Sequence, residues 1–171
     1  MSFLFNTFQQ LGVLNRTMVI GRRWNVIWRN LTSLYLPEHV TEIAGTHGSL
    51  HVKWALDYFI IARNEFPWNQ LPDVVIARPG YDNYLVMLAV RENVSVVDTS
   101  NTLVAVHQTD NEAKDLRRHS GQHDYNMQLL GPFMINEGLI SSSQFLTNHM
   151  PGQPRNAESI VIVPRRNRTQ G

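Results

Sequence analysis

The stretch from Arg78 to Asp98 constrains the fold most, because a turn, a helix pattern and a strand pattern follow one another in it without a linker. Proline and glycine at positions 79 and 80 favour a tight turn, and the apolar residues after them return at helical spacing over Tyr81–Asn93. The next residues, Val94–Asp98, are rich in β-branched side chains, which is typical of a buried strand. A helix that leads directly into a buried strand predicts a layered α/β structure.

Strand and helix patterns alternate elsewhere in the chain as well, so we expect an α/β fold with a mixed sheet. Residues 1–135 form the predicted domain, and residues 136–171 form a predicted weakly ordered polar and basic tail, in which Ile160–Val163 alone is strand-like. The further predicted strands are Thr17–Ile20, Trp54–Ala62 and Leu103–His107, and the further predicted helices are Met1–Leu14 and Tyr125–Leu130. Leu31–Leu36 is predicted as a short helix or a lid-like element.

Composition excludes several classes of partner and site. The 171 residues carry a net charge of +1, which gives no bulk attraction to nucleic acid or to a membrane surface, so we expect neither partner. The chain contains no cysteine, so disulfides and thiolate metal sites are excluded. No apolar run approaches the roughly 20 residues that span a bilayer, and no signal peptide is evident, which leaves the localisation open.

A few polar residues stand where strands and helices meet. Asp82 falls at or near the start of the predicted helix, where a carboxylate serves as an N-cap or as a functional acid. Asp57 lies among apolar residues at the start of a strand, and His107 ends one, where ligand sites of open α/β sheets are found. Arg22 and Arg23 follow an apolar strand, which suits either a diphosphate site or a solvated surface pair.

The order of these residues resembles the C-terminal half of uncharacterised glycosyltransferase-like proteins with the nucleotide-diphospho-sugar transferase (GT-A) fold. The resemblance covers about residues 5 to 133. The segments that carry it are Gly21-Arg22-Arg23-Trp24, Asp57-Tyr58-Phe59, Arg78-Pro79-Gly80-Tyr81-Asp82-Asn83, Val96-Val97-Asp98, Val106-His107-Gln108 and His123-Asp124-Tyr125-Asn126.

This resemblance implies a site that takes a sugar nucleotide and a glycan or other acceptor, with a divalent cation, Mn²⁺ or Mg²⁺, in the parent family. Asp82 matches the family's downstream acid and would be the catalytic base, and His107 matches the late histidine of the metal shell. The implied substrate-binding residues are Asp57, Arg78, Asn83, Arg22 and Arg23.

The chain departs from the family in one important respect, because it contains no Asp-x-Asp motif and opens where the family places the helix after that motif. We therefore expect a partial GT-A-like fold without the N-terminal nucleotide-binding strands, a fragment or truncated form that is inactive or weak alone. This departure puts the cation in doubt for this chain. A noncatalytic glycan-binding module is the alternative, and a metal-dependent hydrolase that uses His107 with Asp98 or Asp110 is a third.

Overall fold

The structure is a computed structural model that describes residues 16–27, 37–76, 78–109, 124–131 and 134–166. The predicted helix at 1–14 and the predicted element at 31–36 lie outside these ranges, as does Asp110. The helices are α1 (Pro37–His47), α2 (Tyr81–Arg91), α3 (Tyr125–Leu130) and α4 (Met134–Glu137). The strands are β1 (Thr17–Gly21), β2 (Arg23–Ile27), β3 (Gly48–Leu50), β4 (Tyr58–Ile61), β5 (Ser95–Asp98), β6 (Ala105–Thr109), β7 (Phe145–His149) and β8 (Ile160–Pro164).

The larger sheet has five strands in the order β4-β1-β5-β7-β8. Its central strands β1, β5 and β7 run parallel, whereas β4 and β8 are antiparallel to their neighbours at the two edges. Parallel strands that are covered on both faces are typically apolar along their length, and in β1 Met18, Val19 and Ile20 are all buried. The described residues thus form a mixed α/β structure, which confirms the fold class predicted from the sequence at that level.

The smaller sheet has three strands in the order β3-β2-β6, with β2 antiparallel to β3 and parallel to β6. A single residue, Arg22, separates β1 of the larger sheet from β2 of the smaller one. The chain therefore leaves one sheet and enters the other at the carboxyl end of β1. In open α/β sheets this end of the parallel strands is where ligands bind.

Helix α2 packs against the five-stranded sheet and supplies five of the twelve described residues that are buried in the main apolar core. Leu85, Val86 and Met87 of the helix are buried against Met18 and Ile20 of β1. The turn before the helix requires glycine, because Gly80 has a φ of 89°, in the left-handed region. The predicted helix Tyr81–Asn93 and strand Val94–Asp98 are confirmed as α2 and β5, with ends shifted by one or two residues.

The predicted tail differs from the structure. Within residues 134–166, β7 and β8 form an antiparallel hairpin that extends the larger sheet beyond β5. The sequence indicated the apolar part of β8 but not β7, because Phe145–His149 contains Thr147 and Asn148 and lacks a long apolar run. Pairing with the apolar strand β8 over five residue pairs stabilises this polar strand.

Helix α1 and strand β3 are elements that the sequence analysis missed. Gly45 and Gly48 concealed the helix, since glycine weakens helix formation, and Ala44 is its single fully buried described side chain. None of the described helices is long and apolar enough to cross a membrane.

Candidate functional site

The carboxyl ends of β1 and β5 lie side by side and are joined by hydrogen bonds. The backbone amide of Arg22, just after β1, donates to Oγ of Ser100, just after β5, at 3.0 Å. Tyr58 closes over Gly21, because a Cβ there would lie 1.9 Å from the Tyr58 hydroxyl oxygen. That hydroxyl bonds Thr99 at 2.9 Å, and burial raises the pKa of Tyr58, so the phenol stays protonated.

Asp57 and Arg23 form the central ion pair of the site. Arg23 Nη1 lies 2.6 Å from Asp57 Oδ1, and the Arg23 backbone amide donates to Asp57 Oδ2 at 3.1 Å. The Asp57 amide in turn donates to the carbonyl of Gly21 at 3.0 Å. The two side chains are 11% and 26% exposed, so each charge is largely compensated by the other. Both carboxylate oxygens of Asp57 are therefore occupied by Arg23.

The smaller sheet presents a polar face next to this pair. Side chains alternate along a strand, so Arg23 and Asn25 of β2 share a face, and the register places His107 of β6 beside Asn25. Arg23 Nε donates to Asn25 Oδ1 at 2.9 Å, and Asn25 Nδ2 lies 3.0 Å from His51 Nδ1. We call Arg23, Asn25, His51 and His107 the polar face.

Asp82 lies in the first turn of α2 and is partly buried. The N-cap is Gly80, so the structure places Asp82 two residues inside the helix rather than at the cap. The Leu56 amide donates to Asp82 Oδ2 at 3.0 Å. Burial raises the pKa of Asp82, backbone hydrogen bonds from Leu56, Asn83 and Asp82 itself oppose that rise, and the charge of Asp57 adds to it. Leu56 directly precedes Asp57 in the chain, so its hydrogen bond to Asp82 brings Asp82 to the segment that carries Asp57.

Two predicted substrate-binding residues have backbone contacts near Asp82. Asn83 is 4% exposed, and its amide donates to the carbonyls of Trp54 at 3.0 Å and Gly138 at 3.1 Å. The backbone carbonyl of Arg78 accepts from the Tyr81 amide at 3.4 Å and from Asn126 Nδ2 at 3.4 Å. Asn83 thus fastens the helix start, and Arg78 lies in the turn that precedes it.

Arg22 is placed differently from Arg23. Arg22 Nη1 donates to the carbonyl of His51 at 3.2 Å, whereas its buried Nε makes no hydrogen bond with the part of the chain that is described. Arg23 is committed to Asp57 and Asn25. The two guanidinium groups lie at the same sheet edge but have different partners, so they do not form a two-arginine clamp for a diphosphate.

The donor set around His107 does not fit a divalent cation. Within the ranges that the structure describes, no group of three or more histidine, aspartate or glutamate side chains could hold a metal ion. The positive charge of Arg23 lies on the same face, and Mg²⁺ and Mn²⁺ prefer several oxygen ligands. We therefore assign no step to a metal ion at His107.

The carboxylate of Asp98 bonds a turn amide and an arginine. Its Oδ1 accepts from the Ser100 amide at 2.9 Å, and its Oδ2 lies 2.6 Å from Arg165 Nη2. Arg165 Nε also donates to Ser143 Oγ at 2.9 Å. Asp98 thus joins the β7–β8 hairpin to the loop after β5. Both of its carboxylate oxygens have structural partners, which disfavours it as a ligand in a metal-dependent hydrolase.

Sequence reasoning missed Asn25 and His51 as members of the site. The alternation of Arg23, Trp24, Asn25 and Val26 in a short strand is a signal for one polar and one apolar face. His51 carried no signal of its own, because it follows the short strand β3 that the sequence analysis did not identify.

No family model matches this chain, and neither the curated proteins nor the solved structures contain a match to it.

Proposed function

We propose that this chain carries the acceptor and catalytic-base half of a sugar-nucleotide-dependent glycosyltransferase site with a partial GT-A-like fold, and that it is inactive or weak alone. The observation that supports this most is the position of Asp82. It is a partly buried carboxylate with a raised pKa, fixed in the first turn of a helix beside a second carboxylate.

A raised pKa suits a general base, because a more basic carboxylate takes a proton from a sugar hydroxyl more readily. The Leu56 amide holds the carboxyl group in one orientation through Oδ2, so the group is positioned before the acceptor arrives. Burial is the main cause of the raised pKa of Asp82, and the neighbouring carboxylate of Asp57 is held in its ion pair with Arg23.

The polar face supplies the remaining recognition groups. Arg23, Asn25 and His51 form a connected row of hydrogen bonds at the same sheet edge as Asp57. Such a row suits a ligand rich in hydroxyl or phosphoryl oxygens. The divalent cation of the parent family would stabilise the departing diphosphate, and its oxygen ligands would have to come from outside the described residues.

Binding of an acceptor tests the proposal. We expect methyl pyranosides to perturb the amide NMR signals of Leu56, Asp57 and Asp82 in the full chain. Asp82→Asn keeps an oxygen for the Leu56 amide but removes the charge, so affinity should fall about tenfold or more, since a charge-assisted hydrogen bond contributes roughly 1.5–3 kcal/mol.

Asp73→Asn is the matched control, because Asp73 is exposed and lies outside the site. Binding that is equal in wild type and Asp82→Asn would contradict the base assignment. Rapid turnover of sugar nucleotides by the chain alone would contradict the expectation that it is weak.

A noncatalytic glycan-binding module is the second candidate, and Trp54 favours it. The Trp54 side chain is 56% exposed, and its carbonyl is fastened to Asn83 in the first turn of α2. An exposed indole can stack on the apolar face of a sugar ring. Glycan binding that survives Asp82→Asn but is lost in Trp54→Ala, with no binding of sugar nucleotides, would favour this module.

A further inference from the structure

A chain of donors and acceptors fixes the hydrogen on the His51 ring. The guanidinium of Arg23 has donors only, so the atom of Asn25 that receives Arg23 Nε must be the oxygen Oδ1. The other side-chain atom of Asn25 is then the NH₂ group, which lies 3.0 Å from His51 Nδ1. An NH₂ group only donates, so His51 Nδ1 must be an acceptor without a hydrogen.

The ring of His51 is therefore neutral and carries its hydrogen on Nε2, at the opposite edge. The surroundings favour this state. Burial lowers the pKa of His51, the charges of Arg23 and His107 lower it further, and Asp57 opposes them. Protonation at Nδ1 would place two donors against each other and break the bond to Asn25.

The backbone of His51 is held on both sides. Its amide donates to the carbonyl of Arg23 at 2.9 Å, and its carbonyl accepts from Arg22 Nη1 at 3.2 Å. His51 as a whole is partly buried, so the residue keeps some exposed surface. Nδ1 is occupied by Asn25, which leaves Nε2–H as the ring's remaining polar group.

We propose that His51 is a specificity-determining residue whose Nε2–H donates a hydrogen bond to an acceptor oxygen, hydroxyl or phosphoryl, of the ligand on the polar face. Asn25 is the positioning residue that selects this tautomer. The proposal deepens the proposed function and rests on it for the identity of the ligand. A donor of fixed orientation rejects ligands that lack an oxygen at that point, because the unpaired N–H is costly.

The tautomer is tested first, by two-bond ¹H–¹⁵N correlation spectra of the histidine rings in the full chain. We expect the pattern of an Nε2–H tautomer for His51 in wild type. In Asn25→Asp a carboxylate accepts from both neighbours, so His51 should gain a hydrogen on Nδ1. His47, which is exposed, is the internal reference. A wild-type His51 with its hydrogen on Nδ1, or one unaffected by Asn25→Asp, would overturn the proposal.

Binding tests the contact to the ligand. Glutamine places an NH₂ group where histidine has Nε2, whereas phenylalanine fills the space without a donor. We expect His51→Gln to bind within about threefold of wild type and His51→Phe about tenfold more weakly, since a hydrogen bond is worth roughly 1–1.5 kcal/mol. The probes are methyl glucopyranoside, methyl galactopyranoside and inorganic pyrophosphate. Loss for the pyranosides identifies a hydroxyl partner, and loss for pyrophosphate a phosphoryl partner.

The failures of the two proposals are distinguishable. If wild type binds none of the probes, the proposed function and the contact of His51 with its ligand are both refuted. If Asp82→Asn weakens binding while His51→Phe does not, the proposed function stands and the contact of His51 is refuted.

Discussion

Replacing Arg165 by methionine should destabilise the protein by about 2–3 kcal/mol, because the change leaves the carboxylate of Asp98 without its counterion. Breaking a fully buried ion pair costs roughly 3–5 kcal/mol, and exposed pairs contribute about 0–1 kcal/mol. Here the side chains are 23% and 12% exposed, which places this pair between the two limits. Methionine keeps most of the side-chain volume, so the loss reports mainly on charge and hydrogen bonding.

The chain offers a matched control in Arg91, whose ion pair with Glu137 is 52% and 51% exposed. Arg91→Met should therefore cost less than about 1 kcal/mol. Urea unfolding followed by circular dichroism gives both free energies. Equal losses in the two variants would refute the reasoning that burial decides the strength of these pairs.

Arg165→Met should also weaken the hydrogen bonds at the candidate site. Asp98 Oδ1 holds the Ser100 amide, and Ser100 Oγ accepts the Arg22 amide. Native-state hydrogen exchange at the Arg22 amide should therefore become faster in Arg165→Met than in Arg91→Met. Unchanged protection of Arg22 would show that the hairpin and the site are independent.

Three further changes have defined outcomes. Gly21→Ala should cost about 1–3 kcal/mol by thermal unfolding, because its Cβ would lie 1.9 Å from the Tyr58 hydroxyl oxygen. Asn126→Ala should lower the free energy of unfolding by about 2 kcal/mol in urea. The fully buried Asn126 side chain accepts from the Val75 amide and donates to the Val75 carbonyl, in the segment before α2. The stability difference between wild type and Asp82→Asn should fall as pH rises from the ordinary aspartate pKa through the raised pKa of Asp82, and urea unfolding at a series of pH values measures it.

Each of these changes has a control or a contrary outcome. Gly45→Ala should be neutral or stabilising, since nothing lies within 4 Å of a Cβ built there in α1. Gln128→Ala, an exposed substitution on the same helix as Asn126, should change stability by less than about 0.5 kcal/mol. A difference between wild type and Asp82→Asn that is independent of pH would contradict the raised pKa.

Patterns of apolar residues were enough to predict the central layers of the fold. The apolar residues Leu85–Leu88 of α2 and Val96 and Val97 of β5 are all buried. Local pattern and tertiary structure therefore agree for these elements. Strand β7 could not be predicted in this way, because its own sequence is largely polar. It is stabilised by pairing with β5 and β8, and a local pattern does not show such pairing.

The site could be predicted in part for a similar reason. Asp57 and Asp82 carried signals of their own, a charge in an apolar run and an acid in a first helical turn, and the hydrogen bond from the Leu56 amide joins Asp82 to the segment that carries Asp57. The contribution of His51 depends on its hydrogen bond with Asn25, a contact between residues 26 positions apart that no local pattern encodes. The sequence suggested a diphosphate site or a solvated surface pair for Arg23, and its ion pair with Asp57 is likewise a contact between residues distant in sequence.

The carboxyl carbon of Asp82, titrated by NMR with and without a methyl pyranoside, tests the central claim most directly. We predict a pKa above the ordinary aspartate value of about 3.9 in the free protein, since burial disfavours the charged form. We predict that the pyranoside lowers this pKa, because a hydroxyl that donates to the carboxylate favours its ionised form. A pKa of Asp82 that stays the same when the pyranoside binds would contradict its assignment as the group that receives the acceptor.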